Sequence, residues 1–187
     1  MAENKVQFNL KNAHYAVLTE TTQSGTITES WATPVPINGA VSIQIDPEGS
    51  VTPFYADGIK YFVSSTNAGY SGTLEIAKIH EQMLSDIWGF AKDSKNVLTE
   101  DVNTEIKDFA LMFQIDGDID NELYCFYKVT ASRPSISSAT NTDSTEVRTQ
   151  TLSFSCAPLS SNGKIQARTT STTDSATKSG WFGEVYK

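Results

Sequence analysis

The sequence predicts a mainly β fold with one flanking α-helix. Three observations carry this. Apolar and polar residues alternate over residues 41–45 and 109–115, the period-two pattern of half-buried strands. Asp57 and Gly58 sit between two β-rich runs, a strong short-range hairpin signal. Only one stretch, about residues 77–88, repeats apolar side chains at helical spacing, with Ile79, Met83, Leu84, Ile87 and Trp88 on one face.

The elements follow in chain order. Residues 1–11 are polar and read as an N-terminal arm. Residues 14–19 form a short β-like run, and the Thr/Ser/Gly stretch 21–30 reads as a loop. Pro34 and Pro36 place the next segment on an edge or in a turn. Residues 41–45 are a strand, and 46–49 (Asp-Pro-Glu-Gly) a turn. Residues 51–56 and 59–63 are the two arms of the hairpin, with Pro53 marking an exposed edge. Residues 70–76 are a strand leading to the helix, which Gly89 can stop. Residues 109–115 and 122–131 are strands joined by an acidic turn. A Ser/Thr/Asn loop covers 132–146, and strands cover 147–156 and 164–170. Residues 171–180 look like a polar tether. The chain then turns apolar at Trp181, Phe182, Val185 and Tyr186, a C-terminal arm over 171–187 that docks either on this domain or on a neighbour. This gives about nine to eleven short strands and one helix, in a single domain over 1–187 without internal repeats.

With 187 residues, one domain can bury about 70% of the surface its unfolded chain exposes, enough for a core without metal or disulfide staples. Charged residues are 19%, low for a globular domain, with Ser and Thr filling the difference. The formal net charge of −8 argues against a tight nucleic-acid grip, which needs clustered Lys and Arg. It is compatible with DNA passing nearby without adhering. The basic residues are scattered and form no patch interleaved with aromatics. The first residues carry no basic lead or long apolar run, so no signal peptide is expected, and no stretch is long enough to span a bilayer.

Cys125 and Cys156 are the only cysteines. Both sit in strand-like runs and read as reduced core residues, with a disulfide as the lesser alternative. His14 and His80 are the only histidines, and neither lies in a nucleophile motif. Asp116, Asp118, Asp120 and Glu122 alternate as calcium ligands can. The calcium-loop pattern fails, because Asn121 and Tyr127 stand where Gly and Glu belong. The reading is an acidic hairpin turn. No catalytic, cofactor or metal residues are assigned, and the chain is expected not to be an enzyme.

An ordered set of segments carries a resemblance. It comprises residues 1–6 (Met-Ala-Glu-Asn-Lys-Val), 10–15 (Leu-Lys-Asn-Ala-His-Tyr), 34–43 (Pro-Val-Pro-Ile-Asn-Gly-Ala-Val-Ser-Ile), 46–49, 51–61 and 69–77, then 109–111, 149–152 and the terminal 181–186 (Trp-Phe-Gly-Glu-Val-Tyr). Through these the chain resembles the phi13-type major tail protein (tail tube) family of long-tailed siphophages. The resemblance implies a β-sandwich or barrel-like core, hexameric rings, and stacking into a hollow tube that conducts DNA. It implies partners in copies of the chain itself and in tape measure, tail tip and tail terminator proteins. It implies a place in the virion tail, after assembly in the host cytoplasm, with DNA passing unbound and no membrane partner. Long hairpins and terminal arms cross between rings in such proteins. The candidate inter-subunit residues are Pro53, Phe54, Tyr55, Asp57 and Gly58 in the hairpin, with Trp31, Trp181, Phe182 and Tyr186.

Three other readings compete. A monomeric β-sandwich binding module, for carbohydrate or a host surface, would use Trp31, Tyr55 or Trp181 as a stacking platform. A hydrolase would build its site from distant loops, yet no nucleophile, base or metal set can be named. A tail terminator or tip component would share the architecture and form a single ring.

Overall fold

A computed structural model of the chain describes residues 4–136, 138, 140 and 147–187. Strand accounts for 51% of the structure and helix for 8%, as a mainly β sequence requires. The strands are β1 (Gln7–Gln23), β2 (Thr26–Trp31), β3 (Val35–Pro36), β4 (Ala40–Glu48), β5 (Val51–Ala56), β6 (Ile59–Ser65) and β7 (Gly69–Ile76). Helix α1 (Glu81–Trp88) follows, then β8 (Ala91–Lys92), β9 (Leu98–Thr99), β10 (Phe109–Gly117), β11 (Glu122–Ala131), β12 (Gln150–Ala157), β13 (Gln166–Arg168) and α2 (Ser175–Gly180).

One antiparallel sheet holds the molecule together, in the order β2-β1-β10-β11-β12-β7-β4, with β3 beside β1 and β13 beside β11. The sheet curls enough to bring β4 back towards β1, so its concave side encloses a core in barrel-like fashion. Tyr15, Leu74, Ile76, Phe109, Leu111, Phe113, Phe126, Leu152 and Phe154 fill that core. Met83, Ile87 and Trp88 on one face of α1 close it at one end. The alternation over 109–115 works as expected: Phe109, Leu111 and Phe113 point into this core. Ala110 and Met112 point to the opposite face.

That opposite face is covered too. Ala16, Ala110, Met112, Leu123, Cys125 and Tyr127 form an apolar floor, on which Leu159, Trp181 and Val185 lie. A sheet covered on both faces explains why β10 is buried at both alternating sets of positions. It also separates the cysteines. Cys156 belongs to the inner core and Cys125 to the outer cluster, and both are free.

Several boundaries differ from the sequence reading, each for an identifiable reason. The expected loop at 21–30 is the turn and flanking strands of a hairpin, with Leu18–Gln23 paired to Thr26–Trp31. Its threonines are β-branched strand formers, and only Ser24 and Gly25 turn. β4 runs on through the expected turn, pairing Pro47 with Tyr70 and Glu48 with Gly69. β4 ends the sheet, so the N–H that Pro47 lacks is not needed by a further strand. α1 begins at Glu81 rather than 77, because the Ile79 N–H donates to the Gln150 side chain at 2.8 Å. Gly89 ends it in the left-handed region at φ 68°, as its lack of a Cβ allows.

Both expected arms are docked. Residues 7–11 pair with β10. Asn4 accepts from the N–H groups of Ile119 and Asp120 at 3.1 and 2.9 Å and donates to the Asp120 carbonyl at 2.7 Å. The polar tether at 171–180 contains α2, whose N-cap Asp174 accepts from the Thr177 N–H at 2.8 Å. Residues 1–3 of the expected N-terminal arm, and 137, 139 and 141–146 of the expected loop, lie outside the described residues. Among the described residues no helix is long and apolar enough to cross a membrane.

Candidate assembly surfaces

β5 and β6 form a two-stranded sheet of their own. They continue the β4–β7 pair outward, since Glu48 pairs with Gly69 and Val51 with Ser65. Ser50 and Thr66 fasten the base. The Thr66 N–H donates to the Ser50 carbonyl at 2.9 Å, and the Ser50 N–H to Thr66 Oγ1 at 3.1 Å. The two chains pass so closely here that a Cβ on Gly49 would collide with the Thr66 carbonyl. At the tip, Asp57 and Gly58 both have positive φ, 52° and 76°, the backbone of a tight two-residue hairpin turn. At about 3.3 Å per residue, the nine residues from base to tip reach roughly 30 Å.

Among the described residues, nothing covers this hairpin. Val51, Phe54, Tyr55, Ile59, Tyr61, Phe62 and Val63 are all exposed, from 43% for Val63 to 69% for Tyr61. Phe54 pairs with Phe62 on one face, and Pro53 with Val63 on the other. Both faces are therefore apolar. A strand with one wet face alternates, whereas Tyr61, Phe62 and Val63 are consecutive, the pattern of a strand buried on both sides. An isolated two-stranded ribbon is marginal by itself in water.

Several other exposed apolar side chains group by position along the barrel. The hairpin leaves the end where β10 finishes and β11 begins, and Val6, Phe8 and Ile119 lie exposed at that same end. Val97, Val102 and Ile106 lie in the excursion between α1 and β10, at the opposite end, with Val41 at the start of β4. The β1–β2 hairpin is polar by contrast. There Lys128 reaches Glu20 at 2.8 Å and Ser161 bonds Glu29.

The nine residues singled out from sequence do not form one site. Pro53, Phe54, Tyr55, Asp57 and Gly58 stand together on the hairpin, with Pro53 half-buried and Phe54 and Tyr55 exposed. Trp31 is half-buried against the outer cluster, and its Nε1 donates to the Tyr127 carbonyl at 3.0 Å. Trp181 is 3% exposed, packed in that cluster with its Nε1 on the Tyr124 carbonyl at 3.3 Å. Of the two dockings the sequence leaves open for the C-terminal segment, Trp181 takes the one on its own domain. Ala16, Ala110 and Cys125 of its own sheet belong to the same buried cluster. Phe182 is half-buried and stacks on His14 at 4.8 Å between centroids. Tyr186 stacks on Trp181 and stays 46% exposed. Trp31, Tyr55 and Trp181 thus make no common stacking platform. Ile59, Tyr61 and Phe62 stand exposed on the same candidate hairpin, and exposed apolar residues also lie at the opposite end. The unbroken apolar run at 61–63 is the sequence signal for Tyr61 and Phe62.

The acidic turn is tied up in the protein's own contacts. Lys11 Nζ lies 2.6 Å from Asp116, Gln114 Nε2 at 2.7 Å and Asn9 Nδ2 at 3.1 Å. Lys11 above all, then Gln114, holds the Asp116 carboxyl below its usual range. Asp118 accepts from the Lys5 N–H, and Asp120 pairs with Lys178. Among the described residues no three ligating side chains converge on a point. Burial pushes the Cys125 and Cys156 thiols up to about 12, away from nucleophile chemistry.

No protein-family model matches the chain, and no curated protein does.

Proposed function

We propose that the chain is a structural protein, the major tail protein of a long-tailed phage, which assembles with copies of itself into stacked rings forming a tube for DNA. The observation that carries this is the β5–β6 hairpin, apolar on both faces and covered on neither by the described residues. Counting about 150–250 Å² for a fully exposed aromatic, the hairpin offers on the order of 700 Å² of apolar surface. Monomeric proteins seldom expose patches beyond about 300–600 Å². A stable interface takes about 800 Å² per partner.

The placement of the apolar groups supports assembly over capture of a foreign ligand. They sit at opposite ends of one barrel, so contact between unlike ends leaves each copy with a free end of each kind. Such heterologous contacts repeat without closing along the stacking direction. The ordered segments at 34–43, 51–61, 69–77 and 181–186 supply the family. On this reading the hexameric ring, the tape measure, tip and terminator partners, the virion location and the unbound passage of DNA come with it. The net charge of −8 suits a lumen that DNA must slide through. No residue is assigned a catalytic role.

The test is negative-stain microscopy with light scattering on concentrated pure protein. Rings or hollow filaments are expected, and loss of them on replacing residues 51–65 by a short Gly/Ser turn. A wild-type protein that stays monomeric at every concentration, with or without a preformed tail tip complex, overturns the proposal.

A further inference from the structure

The chain contains two Asn-Gly steps, Asn38-Gly39 in the turn between β3 and β4 and Asn162-Gly163 in the turn between β12 and β13. At such a step the backbone nitrogen after the asparagine can reach the side-chain amide, because glycine has no Cβ to shield it. Both glycines have positive φ, 83° and 71°. Their hydrogen bonding differs. The Gly163 N–H donates to the Leu159 carbonyl at 2.9 Å, and Asn162 Oδ1 accepts from the Lys164 N–H at 2.9 Å. Attacking nitrogen and target amide are both held there. At the other step, among the described residues, the Gly39 N–H donates to no acceptor and the Asn38 side chain has no hydrogen-bond partner. Asn38 is also exposed to solvent.

We propose that Asn38 is a site of spontaneous deamidation in the folded chain, and that Asn162 is protected from it. This goes beyond the tube reading and does not rest on it. The Gly39 nitrogen loses its proton to water and attacks Cγ of Asn38. The new N–Cγ bond closes a succinimide ring, and the side-chain nitrogen leaves as ammonia. Water then opens the ring. Breaking the N–Cγ bond gives aspartate. Breaking the bond from the same nitrogen to the backbone carbonyl gives isoaspartate, whose main chain runs through the former side chain. The fold keeps a glycine at this step, since φ at Gly39 is 83° and a Cβ there would lie 3.0 Å from the Ala77 Cβ. The product matters because the turn is pinned at both ends. The Ile37 N–H donates to the Ala13 carbonyl at 2.7 Å, and the Gly39 carbonyl accepts from the Ala77 N–H at 2.7 Å. Ile37 is buried in the inner core. Isoaspartate at position 38 lengthens the backbone by a carbon between these anchors, so one of them must yield. Either product also adds a negative charge to the net −8.

The test is peptide mapping by mass spectrometry on the full chain, aged at mildly alkaline pH. In the folded chain, conversion at Asn38 should run about tenfold or more ahead of Asn162, the factor expected when two hydrogen bonds must open first. In denaturant the two sites should convert at similar rates, because neither then keeps its bonds. Aged wild-type chain should melt below fresh chain. Asn38→Gln, whose longer side chain closes the ring far more slowly, should melt the same before and after ageing. Comparable conversion at the two sites in the folded chain, faster conversion at Asn162, or a preference for Asn38 that persists in denaturant overturns the proposal. Chain converted at Asn38 that melts like fresh chain overturns the loosening of the turn.

Discussion

Phe54 and Phe62 face each other across the β5–β6 ladder, yet 60% and 61% of each remains exposed. Cross-strand aromatic pairs normally stabilise a sheet by excluding water from a face. Here the two are register partners and the face stays wet. Replacing both by serine, Phe54→Ser with Phe62→Ser, should change monomer stability by about 0.5 kcal/mol or less, as for most surface changes. Self-association by light scattering should disappear. A fall of many degrees in the melting temperature would instead place the pair in the monomer's own core.

Trp181 gives the opposite expectation. It is buried against its own sheet, and Trp181→Ala should cost about 3–5 kcal/mol in chemical denaturation. If the ring were an intermolecular contact, the variant would unfold like wild type and fail only in assembly.

The Tyr15 hydroxyl donates to Asp86 at 2.8 Å, joining β1 to α1. Burial first, and then the Asp86 carboxylate, push the Tyr15 pKa up. Tyr15→Phe removes the donor while keeping the ring. It should cost about 1.5–3 kcal/mol, the range for a hydrogen bond to a charged group. Amide exchange in α1 should rise more than exchange in β12, because the bond fastens the helix.

Acid should loosen the fold through a few carboxylates. Thr149 and Ser42 hold Glu75 low, Lys11 and Gln114 hold Asp116 low, and the Thr177 N–H holds Asp174 low. A group with a depressed folded pKa contributes stability above its unfolded value and loses it as pH falls through the folded one. The ordinary values are 4.5 for Glu75 and 3.8 for the two aspartates. The melting temperature should therefore be flat from neutral pH to about 5 and fall below about 4.5. Asp116→Asn should flatten the lower part of that fall. An unchanged slope in the variant would show that Asp116 is not one of the linked groups.

The two thiols should be inert in the native state. At about 12, Cys125 and Cys156 are almost wholly protonated at pH 8, and the thiolate is the reactive form. A thiol reagent at pH 8 should modify neither in the folded chain and both in denaturant. Fast modification of the native protein would show that one face of the sheet opens.

The class of fold was legible because period and turn chemistry are local. Alternation at 109–115, the Asp57-Gly58 turn and the helical stripe ending at Gly89 each depend on residues within a few positions of one another. Extended polar strands were not legible. Thr21, Thr22, Thr26 and Thr28 look like loop residues until a partner strand supplies their hydrogen bonds. α2 was lost for a related reason, since its six residues bury none of their own side chains and so leave no apolar stripe. What sequence alone determined was that this chain has more apolar groups in 51–63 and 181–186 than turns and tethers require. Which of them would be satisfied within the chain was decided by the tertiary structure. Trp181 finds a slot, because Ala16 and Ala110 come together only when β1 and β10 pair. Phe54 and Phe62 find none, because their ribbon leaves the barrel before any other strand can cover it.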